Sequence, residues 1–197
     1  MLTRTLFALV AAGGLLVSAS ATFAQSNRAP DAGKQADKKA EKKSGGTAKV
    51  GEDAPSFELT DTDGNTVKLS DYKDKIVVLQ WFNPECPHVA KHYGSKGSTF
   101  NDLNKEFADK GVVFLAINSG AAGKQGAGKD TNAKYKKDWS MSYPILIDES
   151  GKVGKAYGAT RTPDMYIIGK DGKLAYKGGI DNNKSFDAKD YENYVKT

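Results

Sequence analysis

The chain has 197 residues, a formal charge of +5 and one cysteine. The charge is unevenly placed: Arg4 contributes one, residues 25–49 carry seven basic and three acidic side chains, and residues 50–197 carry 21 of each. The long carboxyl-terminal part is therefore neutral, which excludes reading the basic total as a nucleic-acid-binding surface.

In chain order, Arg4 precedes an apolar run from Leu6 to Val17 and then the small residues Ala19, Ser20, Ala21 and Ala24. This is the layout of a secretory signal peptide over residues 1–24, cleaved after Ala21 or Ala24. The run is shorter than the roughly 20 residues a spanning helix needs, so no membrane span is expected after cleavage. The mature protein is expected in the periplasm or outside the cell. Residues 25–49 contain no aromatic, Val, Leu, Ile or Met. They cannot bury enough surface to offset their ordering entropy and are expected to form a disordered tether. Residues 50–197 make one domain.

Within that domain, Phe57–Leu59 and Thr66–Leu69 flank Asp63-Gly64 and predict a β-hairpin. The run IVVLQWF, Ile76 to Phe82, predicts a buried strand that breaks at Asn83-Pro84. From Pro87 a helix is expected to Lys110, with Val89, Tyr93, Phe100, Leu103 and Phe107 inward and a candidate interruption at GSKGS. Gly111–Asn118 predicts a second strand, Thr131–Trp139 a helix, Tyr143–Asp148 a strand and Lys152–Tyr157 a short helix. The segment DMYIIGKDGKLAYKG then predicts two antiparallel strands, and Asp187 starts a partial helix. The order gives an α/β domain with a mixed central sheet and an amino-terminal hairpin.

Cys86 falls where the first parallel strand turns into its helix, between Glu85 and Pro87. Unpaired N–H groups and the positive end of a helix dipole favour a thiolate at such a place, whereas an inert structural cysteine sits inside an apolar run. Pro87 suits the first helical position because its missing N–H is not needed there. Cys86 is therefore read as a nucleophile. His88 and His92 follow at a spacing that shares one helix face, so Cys86, His88 and His92 form an alternative ligand set for copper or zinc. In the milder readings His88 acts on the nearby sulfur electrostatically and His92 has a surface or capping role. The stretch GKQGAGKD, Gly123–Asp130, approaches a phosphate-binding loop but ends in Asp130 where a hydroxyl is needed. It is read as a flexible loop on the same side of the sheet as Cys86, shaping access to it.

The stretch VGEDAPSFELTDTDGNTVKLSDYKDKIVVLQWFNPECP, with YPILIDESGKVGKAYGATRTPDMYIIGKDGKL after it, resembles redoxins of the AhpC/TSA (peroxiredoxin-like) superfamily. It is especially similar to secreted bacterial members with a Trp, a Cys-Pro and a Lys-His-Tyr, here Trp81, Cys86-Pro87 and Lys91-His92-Tyr93. The resemblance implies a thioredoxin-like fold with helices on both faces of the sheet. It also implies a Thr162-Pro163 step, typically cis, beside the active sulfur. The pocket around Cys86 would then include Trp81, Asn83, Pro84, Pro87, His88, Arg161, Thr162 and Pro163.

The departures from the family narrow the chemistry. A C-x-x-C dithiol needs a second cysteine three residues on, and that position is Val89, so a self-contained dithiol reductase is excluded. The peroxiredoxin P-x-x-x-[ST]-x-x-C signature is absent, because Leu79 and Asn83 occupy the relevant positions. Arg161 is the only arginine of the domain and lies close to where peroxiredoxins carry theirs. It is either a partner of the sulfur or an ordinary surface arginine. The resulting expectation is a thiol oxidoreductase without a cofactor, whose Cys86 attacks a small peroxide or a disulfide-bearing protein and is released by an external thiol reductant. A copper or zinc carrier and a redoxin-fold interaction module remain alternatives. Related redoxins run further than this carboxyl end, and some carry another cysteine there.

Overall fold

The computed structural model describes residues 47–185 and 192–196. The leader, most of the tether and the start of the partial helix at Asp187 lie outside the described residues. Among the described residues no helix is long and apolar enough to cross a membrane.

Strands β1 (Glu58–Asp61) and β2 (Thr66–Lys68) form the expected hairpin, closed by Asp61. Its Oδ1 accepts hydrogen bonds from the backbone N–H groups of Asp63 and Asn65 at 2.9 and 2.8 Å. Strand β3 (Ile76–Trp81) leads into α1 (Pro87–Ala90), α2 (Thr99–Ala108) and β4 (Val112–Asn118). Then come α3 (Lys129–Asp138), β5 (Ile145–Ile147), α4 (Lys152–Tyr157), β6 (Asp164–Ile168) and β7 (Leu174–Gly178). The strands make one mixed sheet in the order β2-β1-β5-β4-β3-β6-β7 among the described residues. Strands β3, β4 and β5 run parallel, while β6 is antiparallel to β3 and β1 antiparallel to β5. Near the carboxyl end, Asn193 forms an antiparallel bridge with Asp181, and the described residues there are turn rather than helix.

The two-residue period of β3 divides its side chains between two cores. Val77, Leu79 and Trp81 pack with Leu115, Ile117, Tyr157 and Tyr166 on the face covered by α4. Val78 and Phe82 pack with Val89, Tyr93, Phe100, Leu103 and Met141 on the face covered by α1 and α2. Gln80 points to this second face and would be costly there without partners. Its Oε1 accepts hydrogen bonds from the Tyr93 and Tyr143 hydroxyls at 2.6 and 3.3 Å.

The helix expected from Pro87 to Lys110 is two helices separated by a break, and the cause is local. Gly94 has φ +59°, a conformation favoured by glycine, and a side chain there would press on Trp139. Trp139 itself stacks on Tyr93 with ring centroids 4.7 Å apart and planes at 8°. The chain thus leaves the helix to let an aromatic layer close over the sheet.

Tyr93→Phe removes one hydroxyl from the Gln80 and Tyr143 cluster while preserving the stacked ring. We expect a loss of about 1–2 kcal/mol in urea denaturation, with the unfolding slope unchanged.

Candidate active site

The parallel strands end at one edge of the sheet, and the register there builds the site. Trp81, the last residue of β3, lies opposite Asp164, the first of β6. That pairing carries the residues just before β6 to the turn that follows β3. The Thr162-Pro163 peptide is cis, and the Cys86 thiol donates a hydrogen bond to the Thr162 carbonyl at 3.2 Å.

Cys86 is partly buried and caps α1, a single turn begun by Pro87. Its carbonyl accepts the N–H groups of Val89 and Ala90, each at 2.9 Å. Val89, at the place of a second cysteine, is fully buried. Asn83 shapes the turn from inside: its Oδ1 accepts the Glu85 N–H at 2.9 Å, and its carbonyl accepts the Cys86 N–H at 3.1 Å. Pro84 is buried beneath the turn, whereas Pro87 and His88 are exposed. Trp81 donates its Nε1–H to Ser119, which donates to the buried Asp148 carboxylate at 2.7 Å.

The loop after β4 is built rather than flexible, contrary to expectation. Asn83 donates from Nδ2 to the Gln125 carbonyl at 3.1 Å, and Gln125 donates back to the Glu85 carbonyl at 3.3 Å. Asn118 and Asn132, both buried, donate to the Gly126 carbonyl at 2.9 and 3.0 Å. Gly126 has φ +66°, and a Cβ there would collide with the Asn83 side chain. The phosphate-loop look-alike is thus a strap that grips the cysteine turn.

The histidines part company. Because α1 ends at Ala90, His88 and His92 do not share a helix face, and His88 stays exposed. His92 is fully buried rather than in a surface or capping role: its ring meets Phe100 and its Nδ1 lies 3.1 Å from the Thr99 hydroxyl. Its Nε2 faces Asp181 at 3.4 Å. Lys91, 2% exposed, donates to the carbonyls of Asn183 and Ser185 at 2.7 and 3.1 Å and pairs with Asp181 at 3.5 Å. Among the described residues no three His, Cys, Asp or Glu side chains are placed to hold a metal ion. Cys86, His88 and His92 are therefore not assembled as a ligand set.

Arg161 is 71% exposed and turns its Nε toward Asp164 at 3.7 Å. Two cavities meet at Thr162. One, of about 410 Å³, includes His88, Lys91, Pro163 and Asp181; the other, of about 460 Å³, includes Trp81, Asn83, Ser119, Lys155 and Arg161.

Burial holds the His92 pKa at about 4, below its ordinary 6.5; Asp181 opposes this, while Lys91 and His88 reinforce it. Between those two values the unfolded chain binds a proton that the folded chain refuses. The stability from neutral His92 is thus complete above about pH 6.5 and drains as pH falls toward 4, by up to about 3 kcal/mol. Urea midpoints compared at neutral pH and near pH 4.5 should show a smaller acid loss in His92→Gln than in the parent. Asn132→Ala, which strips the strap of two donors, should cost about 2 kcal/mol. Hydrogen exchange should quicken across residues 119–128 in that variant.

The family model described as AhpC/TSA family matches residues 50–177. The chain is similar to the thiol-disulfide oxidoreductase ResA of Bacillus thuringiensis, 29% identical over 126 residues that cover 64% of this chain and 66% of that one. ResA of Geobacillus thermodenitrificans is 30% identical over 125 residues, again 64% and 66% of the two chains. The chain thus spans 66% of the length of these curated relatives. Among solved structures, an uncharacterized conserved protein from Geobacillus kaustophilus is 35% identical with a TM-score of 0.64, covering 68% of this chain and 71% of that one. A putative thiol:disulfide interchange protein DsbE from Chlorobium tepidum shares the fold at 22% identity and a TM-score of 0.58, covering 67% and 86%. With a family match over most of the domain and a thioredoxin-like sheet that sets a strand-end cysteine against a Thr-Pro peptide, this chain belongs to the AhpC/TSA family.

Proposed function

We propose that the protein is a thiol oxidoreductase whose single reactive cysteine, Cys86, attacks a disulfide or a peroxide and is then released by an external thiol. The observation that carries this reading is the placement of Cys86. Cys86 is partly buried in the turn that follows β3, its thiol is bonded to the Thr162 carbonyl, and buried Val89 stands where a resolving cysteine would be. The names of the ResA relatives point to the same chemistry.

Attack on a disulfide forms a bond from Cys86 Sγ to one sulfur and expels the other as a thiolate. The mixed disulfide persists until a second thiol attacks it. Attack on a peroxide leaves a sulfenic acid, which a thiol condenses to a mixed disulfide with loss of water. The disulfide is the better supported substrate. Arg161, the cation that would polarise a peroxide, is exposed and turns its Nε toward Asp164 rather than toward the sulfur. The amino-terminal leader supports a periplasmic or secreted setting.

The test is intact mass of the mature, metal-stripped protein after brief exposure to a strained disulfide or to low peroxide with a sulfenate trap. Cys86 should form the adduct at least about tenfold faster than a free cysteine at the same pH. Cys86→Ser should form none. A thiol no faster than free cysteine would overturn the proposal and move the interaction-module reading ahead.

A further inference from the structure

A lone cysteine that works as proposed above must borrow its second thiol, and the two cavities that meet at Thr162 differ in what they could receive. In the first, Lys91 is already committed to Asp181 and to two backbone carbonyls. In the second, no carboxylate is among the lining residues, and both charged ones are cationic. Lys155 is exposed and makes no ion pair among the described residues. Arg161 approaches Asp164 through Nε at 3.7 Å, beyond hydrogen-bond distance, and is 71% exposed, so its guanidinium can take a bidentate partner. Two residues of the second cavity touch Cys86: the Asn83 carbonyl accepts its backbone N–H, and the Thr162 carbonyl accepts its thiol. At about 460 Å³ it has the size of a small-molecule site.

We propose that this cavity binds the external thiol and selects a small thiol bearing a carboxylate. The proposal rests on the single-cysteine reading and names the reductant for it. The carboxylate docks on Arg161 and Lys155, and the thiol end reaches Cys86 past Asn83 and Thr162. From a sulfenic acid, the first thiol forms an S–S bond to Cys86 and the oxygen leaves as water. From a mixed disulfide with a protein, it displaces that protein's thiolate from Cys86. In either case a second molecule of the thiol attacks the bound one, forms the small disulfide and expels the Cys86 thiolate. Two thiols are oxidised and one substrate is reduced.

The test loads Cys86 of the mature protein with 2-thiopyridine as a neutral mixed disulfide and follows release of that chromophore. No substrate oxidation is needed, so failure of this proposal is separable from failure of the proposed function. The probes are 3-mercaptopropionate, 2-mercaptoethanol and cysteamine, compared at equal thiolate concentration and referenced to a short peptide carrying the same mixed disulfide. The protein should favour mercaptopropionate over cysteamine by about tenfold beyond the peptide's ratio. The doubly substituted Lys155→Gln, Arg161→Gln protein should lose that preference. Thr160→Glu, a change at an exposed lining residue, should invert it. Lys170→Gln, an exposed turn residue outside the cavity, should leave it intact. A parent ratio equal to the peptide's overturns the proposal, as does one that survives the double substitution or falls equally with Lys170→Gln. A normal preference in a protein whose Cys86 is slow toward disulfide and peroxide would retain the cavity and discard the oxidoreductase function.

Discussion

The antiparallel pairing of β3 with β6 is the constraint on which the rest of the site depends. It sets Trp81 against Asp164, and everything chemically interesting lies just beyond that pair, on the two chains leaving it. One chain turns through Asn83 and Pro84 into Cys86, and the other arrives through Arg161, Thr162 and Pro163. Slipping this register by one residue would move the Thr162 carbonyl away from the sulfur and turn β6 inside out, since side chains alternate with a period of two. Both faces of the sheet are buried, so such a slip is strongly opposed.

Around that pair the protein uses polar contacts to hold what the sheet alone would leave loose. Buried Asn118 and Asn132 grip the carbonyl of Gly126, and Asn83 joins the same strap to the cysteine turn. On the other side Lys91, His92 and Asp181 connect the residues after α1 to the chain that follows β7. A buried ammonium and carboxylate are tolerable only as partners, and the backbone carbonyls of Asn183 and Ser185 complete the solvation that burial removes. These contacts join segments about 90 residues apart in sequence at the back of the reactive helix. Cys86 is therefore held by its neighbours rather than by the single turn of helix it caps, and a helix that short has little dipole to offer.

Much of the architecture was legible in local pattern. The hairpin at Asp63-Gly64, the buried runs of β3 and β4, the short α4 and the final antiparallel pair all lie where periodicity and turn residues put them. The break between α1 and α2 was hinted at by GSKGS, but its extent depends on Trp139 reaching back to Tyr93 from 46 residues away. Helical spacing puts His88 and His92 on one face only if the helix continues past Ala90, and it stops there. The strap is hidden from local pattern because glycine and lysine content signals exposure, while its anchors, Asn118 and Asn132, lie outside the glycine-rich stretch.

By itself the sequence determined that one cysteine sits at a strand-to-helix step, that Val89 cannot resolve it, and that the domain is an α/β sheet structure with no net charge of its own. These are properties of composition and of neighbours within a turn or a strand, where spacing decides which side chains share a face. Only the tertiary structure decided that His92 and Lys91 are buried on Asp181, that Arg161 faces Asp164 from an exposed position, and that the sulfur rests on Thr162. For His92, Lys91 and the sulfur, the deciding partner lies 76 to 94 residues away. Arg161 and Asp164 are close in the chain, but burial of the carboxylate in the sheet is what turns the guanidinium toward it. Sheet register and core packing settle such choices, and no local period encodes them.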